Sequence, residues 1–586
     1  MFDIYLIIYI LGVLFNDVYC DSDWIWKCDS GYCIKKSVLN EREGYISLPL
    51  CQLVCSEYLN IWPKPTGTIT STKELVIVNT KRIAFDYNGP PNIKNYLATV
   101  TQYFEDRIEN EGAFSCDENM LNLKISLNPI NDNLSLTVDT NEMYLLSVRS
   151  TDTDLIVNIT APTVFGVRHG IETFLQLLLP QLEDTSKCLS TVSNLEISDK
   201  PIYRHRGLLI DTARNYLSVD TIKKQIDGMA VSKLNVLHWH ITDSQSFPLA
   251  STKLPNMTKF GAYSPTKIYT KENMRSLVKY AETRGVRILI EIDGPSHAGM
   301  GWQWGNDAGL GNLAVCVNKQ PWRSFCIQPP CGQLNPVNQK LYDVLTDLYK
   351  DIVETIPDSL MFHQGGDEVF IPCWNSTPEI LEYLKNRPLT QETYFDLWGE
   401  FQKKNLKAFD QATGHNKTSI IVWSSHLTDP SIITKYLSKE RFIIQTWVPE
   451  SENDLIKQLL NLGYRVIIST KDKWYLDHGF WGEYWTYHKW KTVYDNTMYS
   501  SYNEAILGGE VCMWGELVDD TNIDSRVWPR AAAAAERMWT NPSTAANTAE
   551  YRMFAHRERL IKLGIHADAV MPEWCIENEG ECNGYL

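Results

Sequence analysis

Two carboxylic acids stand side by side at Asp367 and Glu368, directly after Gly365-Gly366 and the apolar segment Leu360–Gln364. Neighbours in a regular strand point to opposite faces, so both acids can serve one site only where the strand ends. The two glycines supply the backbone freedom for that turn. An acid placed this way can protonate a reacting group while its neighbour stays charged. Taken alone, the pair also reads as the solvated acidic start of a helix. Other apolar segments end in the same manner, at Asp211/Arg214, His240/Asp243, Asp293/His297, Trp423, Trp447, Tyr475/Asp477 and Trp514/Glu516. A single Asp at such a place often only caps the next helix. Together these ends form one polar and aromatic mouth, provided the segments are strands of a single barrel.

The segments have that grammar. From Arg206 onward, short apolar runs alternate with amphipathic stretches, the pattern of a parallel sheet. Strands are expected at Gly207–Asp211, Asn235–Ile241, Val286–Ile292, Leu360–Gln364, Ser419–Trp423, Phe442–Thr446, Arg465–Ser469 and Ile506–Met513. Helices are expected at Val219–Ser232, Lys271–Arg284, Asn338–Thr355 and Ala531–Ala535. The fold class is therefore α/β, a (β/α)8 barrel over 196–586, with its site at the C-terminal strand ends. Before it, 61–195 reads as a small α+β domain with antiparallel pairing. It has strands at Glu74–Val78, Leu123–Leu127 and Leu145–Val148, and helices at Tyr96–Ile108 and Thr163–Leu179. Residues 21–60 form a Cys-rich segment.

Composition narrows the partners. Hydrophobic residues make up 44% and charged residues 22%, enough apolar material for large cores. A formal charge of −16 repels polyanions, which excludes nucleic acid and anionic membrane surfaces as natural partners. Nineteen Trp and 29 Tyr suit stacking on neutral sugars, although a large core uses aromatics as well. The apolar run Ile4–Phe15 is too short to span a bilayer and reads as a signal segment over 1–20. Sequons at Asn133, Asn158, Asn256, Asn375 and Asn416 agree with secretory passage, to the outside or to a lysosome. The 14 cysteines fit a disulfide framework, with Cys28, Cys33, Cys51 and Cys55 clustered and Cys326/Cys331 and Cys575/Cys582 as local pairs. Removing Cys20 with the signal leaves an odd number, and Cys512, in an apolar strand, is the expected free thiol. No phosphate loop or zinc spacing occurs, so neither cofactor nor metal is expected.

The stretch His363-Gln364-Gly365-Gly366-Asp367-Glu368-Val369 resembles the active-site motif of glycoside hydrolase family 20, the β-N-acetylhexosaminidases. The likeness extends through Arg206–Asn215, Leu237–Asp243 and Gly509–Glu516. It covers the chain from about Trp62 onward and is nearest to arthropod members. Most retaining glycosidases use a protein carboxylate as nucleophile, but substrate-assisted ones use the sugar's own 2-acetamido oxygen. The resemblance implies that Glu368 protonates the leaving oxygen and that Asp367 accepts the acetamide N–H. It implies that Tyr475 donates to the acetamide oxygen, that Trp423, Trp447 and Trp514 wall the pocket, and that Arg214 and Glu516 bind the terminal sugar's hydroxyls. Asp243 and His297 are expected as a relay behind Glu368.

The chain departs from the family where sulfate-accepting members carry a neutral and a basic residue after Tyr-Leu. Here stand Asp477 and His478, and a carboxylate beside the sugar's C6 edge should repel sulfate. The loop Gly479–Trp490 is shorter than in chitin-degrading relatives, with Trp490 expected in the leaving-group subsite. Trp322, Ile327 and Gln328 are expected as its opposite wall. The expected substrates are N-acetylglucosamine-containing oligosaccharides, cut from the non-reducing end. Trimming of N-glycans is an alternative, and a catalytically inactive sugar-binding protein is another. Relatives of this kind are often homodimers.

Overall fold

The computed structural model describes residues 24–37, 46–110, 120–181, 189–356, 361–482, 486–499 and 503–582. The expected signal segment, Cys20 included, lies outside them.

Eight parallel strands close a barrel: β1 (His205–Asp211), β2 (Val236–Thr242), β3 (Arg287–Ile292), β4 (Met361–His363), β5 (Ser419–Trp423), β6 (Phe442–Thr446), β7 (Arg465–Ile468) and β8 (Ile506–Met513). Each coincides with an expected segment to within a residue or two at either end. Several of the helices between them start on side-chain caps. Ser218 accepts from the Thr221 N–H to begin Val219–Val231, and Thr270 and Asn273 form a reciprocal box at the start of Lys271–Glu282.

Period-two alternation sorts the barrel interior into three layers. The base is apolar: Val236, Leu289, Met361, Ile421, Ile443, Ile467 and Leu507. Further along the strands lies a charged layer. There Glu510 is bonded to His205 Nε2 (2.9 Å), His238 Nδ1 (2.5 Å) and Gln445 Nε2 (2.9 Å), while Glu291 pairs with His238 Nε2 (3.0 Å) and His240 Nδ1 (2.6 Å). Burial would neutralise His238, but Glu510 and Glu291 hold it protonated, with its pKa raised to about 9. His205 lacks that double pairing, and burial lowers it to about 4. Above this layer stand Leu209, Trp423, Tyr475 and Cys512, with Trp447 and Trp514 packed against them.

The small domain is an eight-stranded sheet that is mixed, not antiparallel as expected. Leu121–Pro129 runs parallel to both Leu75–Tyr87 and Asp154–Ala161. The reason is the helix Pro91–Asn110, which carries the chain back to the starting end of the sheet before the next strand forms. A second correction concerns the expected helix Thr163–Leu179, which spans only Val164–Leu175. It stops at Gln176, whose amide makes a two-way bond with the Trp62 backbone: Nε2 donates to its O (2.7 Å) and Oε1 accepts from its N (2.8 Å).

Polar contacts join the small domain to the barrel. Arg206 donates through both terminal nitrogens to Glu142 (2.7 and 2.9 Å), and Asn235 Nδ2 and His169 Nε2 complete that carboxylate's shell. Nearby, Lys233 donates to Asp199, Tyr144 and Thr173.

The Cys-rich segment packs on the C-terminal tail. Its hairpin, Trp24–Asp29 paired with Tyr32–Ser37, is tied by Cys28–Cys55 and Cys33–Cys51 to the helix Leu48–Cys55. It meets the tail through Lys35–Glu577 (2.6 Å), Trp26 Nε1 to the Glu577 O (3.2 Å) and the Cys33 N–H to Glu579 (2.8 Å). Further bonds are Cys316–Cys373, Cys326–Cys331 and Cys575–Cys582, and Cys512 is free and buried. Asn133, Asn158, Asn375 and Asn416 are exposed, while Asn256 is half-buried at the start of the helix Asn256–Gly261. Among the described residues, no helix is long and apolar enough to cross a membrane.

The domain junction yields the first prediction. Glu142→Ala leaves the Arg206 guanidinium buried and unpaired, which should cost about 3–5 kcal/mol. Denaturant unfolding monitored by tryptophan fluorescence should show a clearly lower midpoint; an unchanged midpoint would show that the ion pair does not hold the junction.

Candidate active site

Behind β4 the chain turns through Gly365 (φ 60°) and Gly366 (φ 90°) into Asp367 and Glu368. A Cβ on Gly365 would lie 1.6 Å from Asp293 Oδ1, and that same oxygen accepts the Gly366 N–H at 2.9 Å. Asp293, at the end of β3, thus shapes the turn that carries both acids. Glu368 itself takes a left-handed backbone (φ 48°), as does His297 (φ 54°), a costly conformation for residues with side chains. Ser296 Oγ donates to the Glu368 carbonyl (2.9 Å), and the Phe370 N–H donates to Gln333 (2.6 Å), which hold the turn in place.

The two acids face different surroundings. Glu368 Oε2 lies 3.3 Å from His297 Nε2, and His297 Nδ1 lies 3.3 Å from Asp243 Oδ2. Burial alone would strip the His297 proton, but the Asp243 charge and its hydrogen bond, with Glu368 beyond, hold the ring protonated. Burial would raise Glu368 too; the hydrogen bond and charge of His297, then Arg214 and Lys471, bring it below the ordinary carboxyl range. Asp367 has the opposite fate. Burial first, then the Glu368 and Glu291 charges, outweigh His297 and push it up to about 7. Its Oδ1 is buried and has no protein partner.

Aromatic rings form another part of the mouth. Trp423 is held by Nε1 donating to Glu291 (2.8 Å), and Trp447 by Nε1 donating to the Ser424 O (2.7 Å). Trp514 lies 5.8 Å from Trp423 and 6.1 Å from Tyr475, and Tyr475 stacks on Trp447 at 6.5 Å between centroids.

Charged groups close the floor. Arg214 donates to Asp211 (3.1 Å), Asp243 (2.9 Å) and Gln328 Oε1 (3.2 Å), with its guanidinium 5.2 Å from the Trp514 ring. Gln328 Nε2 donates to Glu516 Oε1 (3.0 Å), so this side chain, expected on the outer wall, instead bridges two floor residues. Asp477 is buried, and Trp481 Nε1 donates to its Oδ2 (3.1 Å). Arg214 Nε, Glu516 Oε2 and Asp477 Oδ1 are buried without a protein partner, as is Asp367 Oδ1. Four such atoms from four parts of the chain need hydrogen bonds that a polyhydroxylated ligand would supply.

Ile327 is 54% exposed on the rim beside half-buried Trp322, in the loop closed by Cys326–Cys331. Trp490 is not brought to this wall. It is buried on the helix Trp490–Tyr494 with its ring against Tyr494, because that helix packs on Arg530–Thr540 outside the barrel. The loop expected at Gly479–Trp490 includes 483–485, which lie outside the described residues.

Sequence reasoning did not assign Glu291, Glu510 or Trp481. The first two were detectable as lone charges in otherwise apolar strands, facing a matching set of histidines. Trp481 lacked such a signal. Among the described residues, and apart from the disulfide-bonded Cys33, Cys51 and Cys55, three side-chain groups have the donor types of a metal site: His238/Glu291/His363, His240/Asp243/Asp293 and Asp293/His297/Asp367. In each, however, a central histidine (His238, His240 or His297) has both ring nitrogens already facing carboxylates. Those three histidines therefore act as hydrogen-bonded or ion-paired links between carboxylates.

Comparison with known proteins agrees with this arrangement. The catalytic domain of glycosyl hydrolase family 20 matches residues 203–542, and a beta-acetyl hexosaminidase-like domain matches 61–177. The chain is 41% identical to a chitooligosaccharidolytic beta-N-acetylglucosaminidase of Bombyx mori, over 96% of each chain. It is 40% identical to the protein of the same description from Ostrinia furnacalis, over 98% of each. Among solved structures, a Flavobacterium johnsoniae chitobiase superposes with a TM-score of 0.68 at 26% identity, covering 86% of this chain and 73% of that one. The chain belongs to glycosyl hydrolase family 20.

Proposed function

We propose that this protein is an exo-acting, retaining β-N-acetylhexosaminidase that removes terminal N-acetylglucosamine from chitooligosaccharides. The observation that carries the mechanism is the split environment of the adjacent acids. Glu368 is wired to His297, while Asp367 keeps a buried oxygen without a protein partner and lies close enough to Tyr475 for its charge to bear on that phenol.

The acetamide of the bound sugar folds into the enclosure of Trp423, Trp447, Trp514 and Tyr475. Its N–H donates to Asp367 Oδ1, which favours the charged carboxylate, and Tyr475 donates to its carbonyl oxygen. The proton that Asp367 no longer favours is then available to Glu368. In the first step the acetamide oxygen attacks the anomeric carbon, and the glycosidic bond breaks as Glu368 protonates the leaving oxygen. The resulting oxazolinium ion is balanced by Asp367. Water then attacks the same carbon, returns a proton to Glu368 and reopens the acetamide, so configuration is retained. His297 and Asp243 offset the change of charge on Glu368 at each step.

The floor made by Arg214, Gln328, Glu516 and Asp477 closes the pocket behind the sugar, which supports exo action. The two insect relatives support chitin fragments as substrate, and the disulfides support a secretory route. Rates on chitobiose and on a biantennary N-glycan should differ in favour of chitobiose; the reverse order would reassign the physiological substrate.

Glu368→Gln should lower turnover of an oligosaccharide by roughly two to four orders of magnitude, and of a nitrophenyl glycoside by less, since nitrophenolate leaves without protonation. Near-normal oligosaccharide hydrolysis would remove Glu368 from the acid role.

A sulfate at C6 would face Asp477, and like charges in a partly desolvated pocket cost several kcal/mol. The 6-sulfated N-acetylglucosaminide should be cleaved about a hundredfold more slowly than the neutral sugar, or roughly 2.7 kcal/mol. Burial, then the Glu516 charge, raises Asp477 to about 7. Its charge therefore fades as pH falls through 7, and the discrimination should shrink on the acid side and be full above it. Equal rates for both substrates at pH 8 would place Asp477 away from the C6 edge.

A further inference from the structure

Asp477 is 2% exposed, and its two oxygens are used differently: Oδ2 accepts from Trp481 Nε1 at 3.1 Å, and Oδ1 has no protein partner. The short turn between the two residues is fixed from outside. The Leu476 N–H donates to the Cys512 O (2.8 Å), and Arg530 donates to the Leu476 O (2.7 Å) and the His488 O (3.1 Å). Gly479 (φ 88°) lies so close to the Tyr487 backbone that a Cβ would approach it to 2.6 Å. The Phe480 ring lies 4.1 Å from the Arg526 guanidinium and 5.6 Å from Tyr487. With the turn pinned in this way, the half-buried indole of Trp481 folds back onto the carboxylate.

We propose that Trp481 is a positioning residue that aims Asp477, holding one carboxylate oxygen so that the other faces the far edge of the terminal sugar. This rests on the reading of Asp477 as a contact to that sugar. The chemistry of the donor makes the arrangement one-directional. An indole N–H donates and cannot accept, so Oδ2 must act as the acceptor, and any proton Asp477 takes up sits on Oδ1. The sugar hydroxyl therefore meets an acceptor when Asp477 is charged and a donor when it is not. Other groups bear on this carboxyl as well. Glu516 opposes its charge and Arg530 favours it, and the Tyr475 phenol and Cys512 thiol face it from β7–β8. Without the indole, a buried carboxylate beside Glu516 is free to rotate or to take a proton.

The test replaces Trp481 by Phe, which keeps a ring and removes the N–H, and by benzothienylalanine, which keeps the bicyclic shape and removes only the donor. With a chromogenic N-acetylglucosaminide, both should raise KM about tenfold and leave kcat within about twofold. The acidic midpoint of kcat/KM should move to higher pH, because the charged carboxylate has lost a donor. In an Asp477→Asn background, Trp481→Phe should add less than about twofold. If Asp477→Asn raises KM while both Trp481 variants leave KM and the pH profile unchanged, or if the two effects simply multiply, the proposal is overturned with the sugar contact intact. If Asp477→Asn leaves KM unchanged, the sugar contact itself fails and the proposal with it.

Discussion

The active site hangs from one buried carboxylate. Glu291 lies wholly inside the barrel, where it is bonded to His240 and the Trp423 indole and pairs with the charge of His238 at 3.0 Å. From it a line of contacts runs outward: His240 to Asp243 (3.0 Å), Asp243 to Arg214 (2.9 Å) and His297 (3.3 Å), and His297 to Glu368 (3.3 Å). One residue thus bears on the placement of Trp423, Arg214 and Glu368 together. An isolated buried carboxylate costs several kcal/mol, so such a layer persists only when every member is in place. The charges also balance. Glu291 and Glu510 are held ionised and His238 and His240 protonated, while burial keeps His205 and His363 neutral.

The same economy explains where the backbone is strained. Glu368 and His297 both occupy the left-handed region, which costs on the order of 1–3 kcal/mol per residue, and both belong to the proton relay. Each is fixed by contacts made to other elements: Ser296 to the Glu368 carbonyl, and Asp243 to the His297 ring. Strain of this kind places an acid and its partner where a relaxed strand end would not.

The barrel was legible because its strands obey local rules. Fully buried parallel strands read as continuous apolar runs, and Ser419–Trp423, Phe442–Thr446 and Ile506–Met513 have the bounds that their composition suggests. The small domain was less legible because parallel or antiparallel pairing depends on what lies between two strands. The helix Pro91–Asn110 decided it in a way that strand composition does not reveal. Within the site, the strand-end residues lie together as their positions suggest, whereas Gln328 and Trp490 lie elsewhere than expected. Distant partners set both places: Glu516 and Arg214 hold Gln328, which lies in a loop, and the helix Arg530–Thr540 holds the short helix that carries Trp490.

Cys512 gives the barrel a built-in reporter of its own integrity. Among the described residues it is the free cysteine, and it lies buried beside Tyr475 with its thiol pushed well above the ordinary range, first by burial. Alkylation requires both access and a thiolate, and the folded barrel denies both. Because this thiol is wholly buried among Leu209, Trp423 and Tyr475, a reagent reaches it only when the barrel opens around β8. Its rate of labelling under native conditions would therefore count openings of the barrel itself, beside its aromatic layer, independently of events in the small domain or the disulfide-bonded ends.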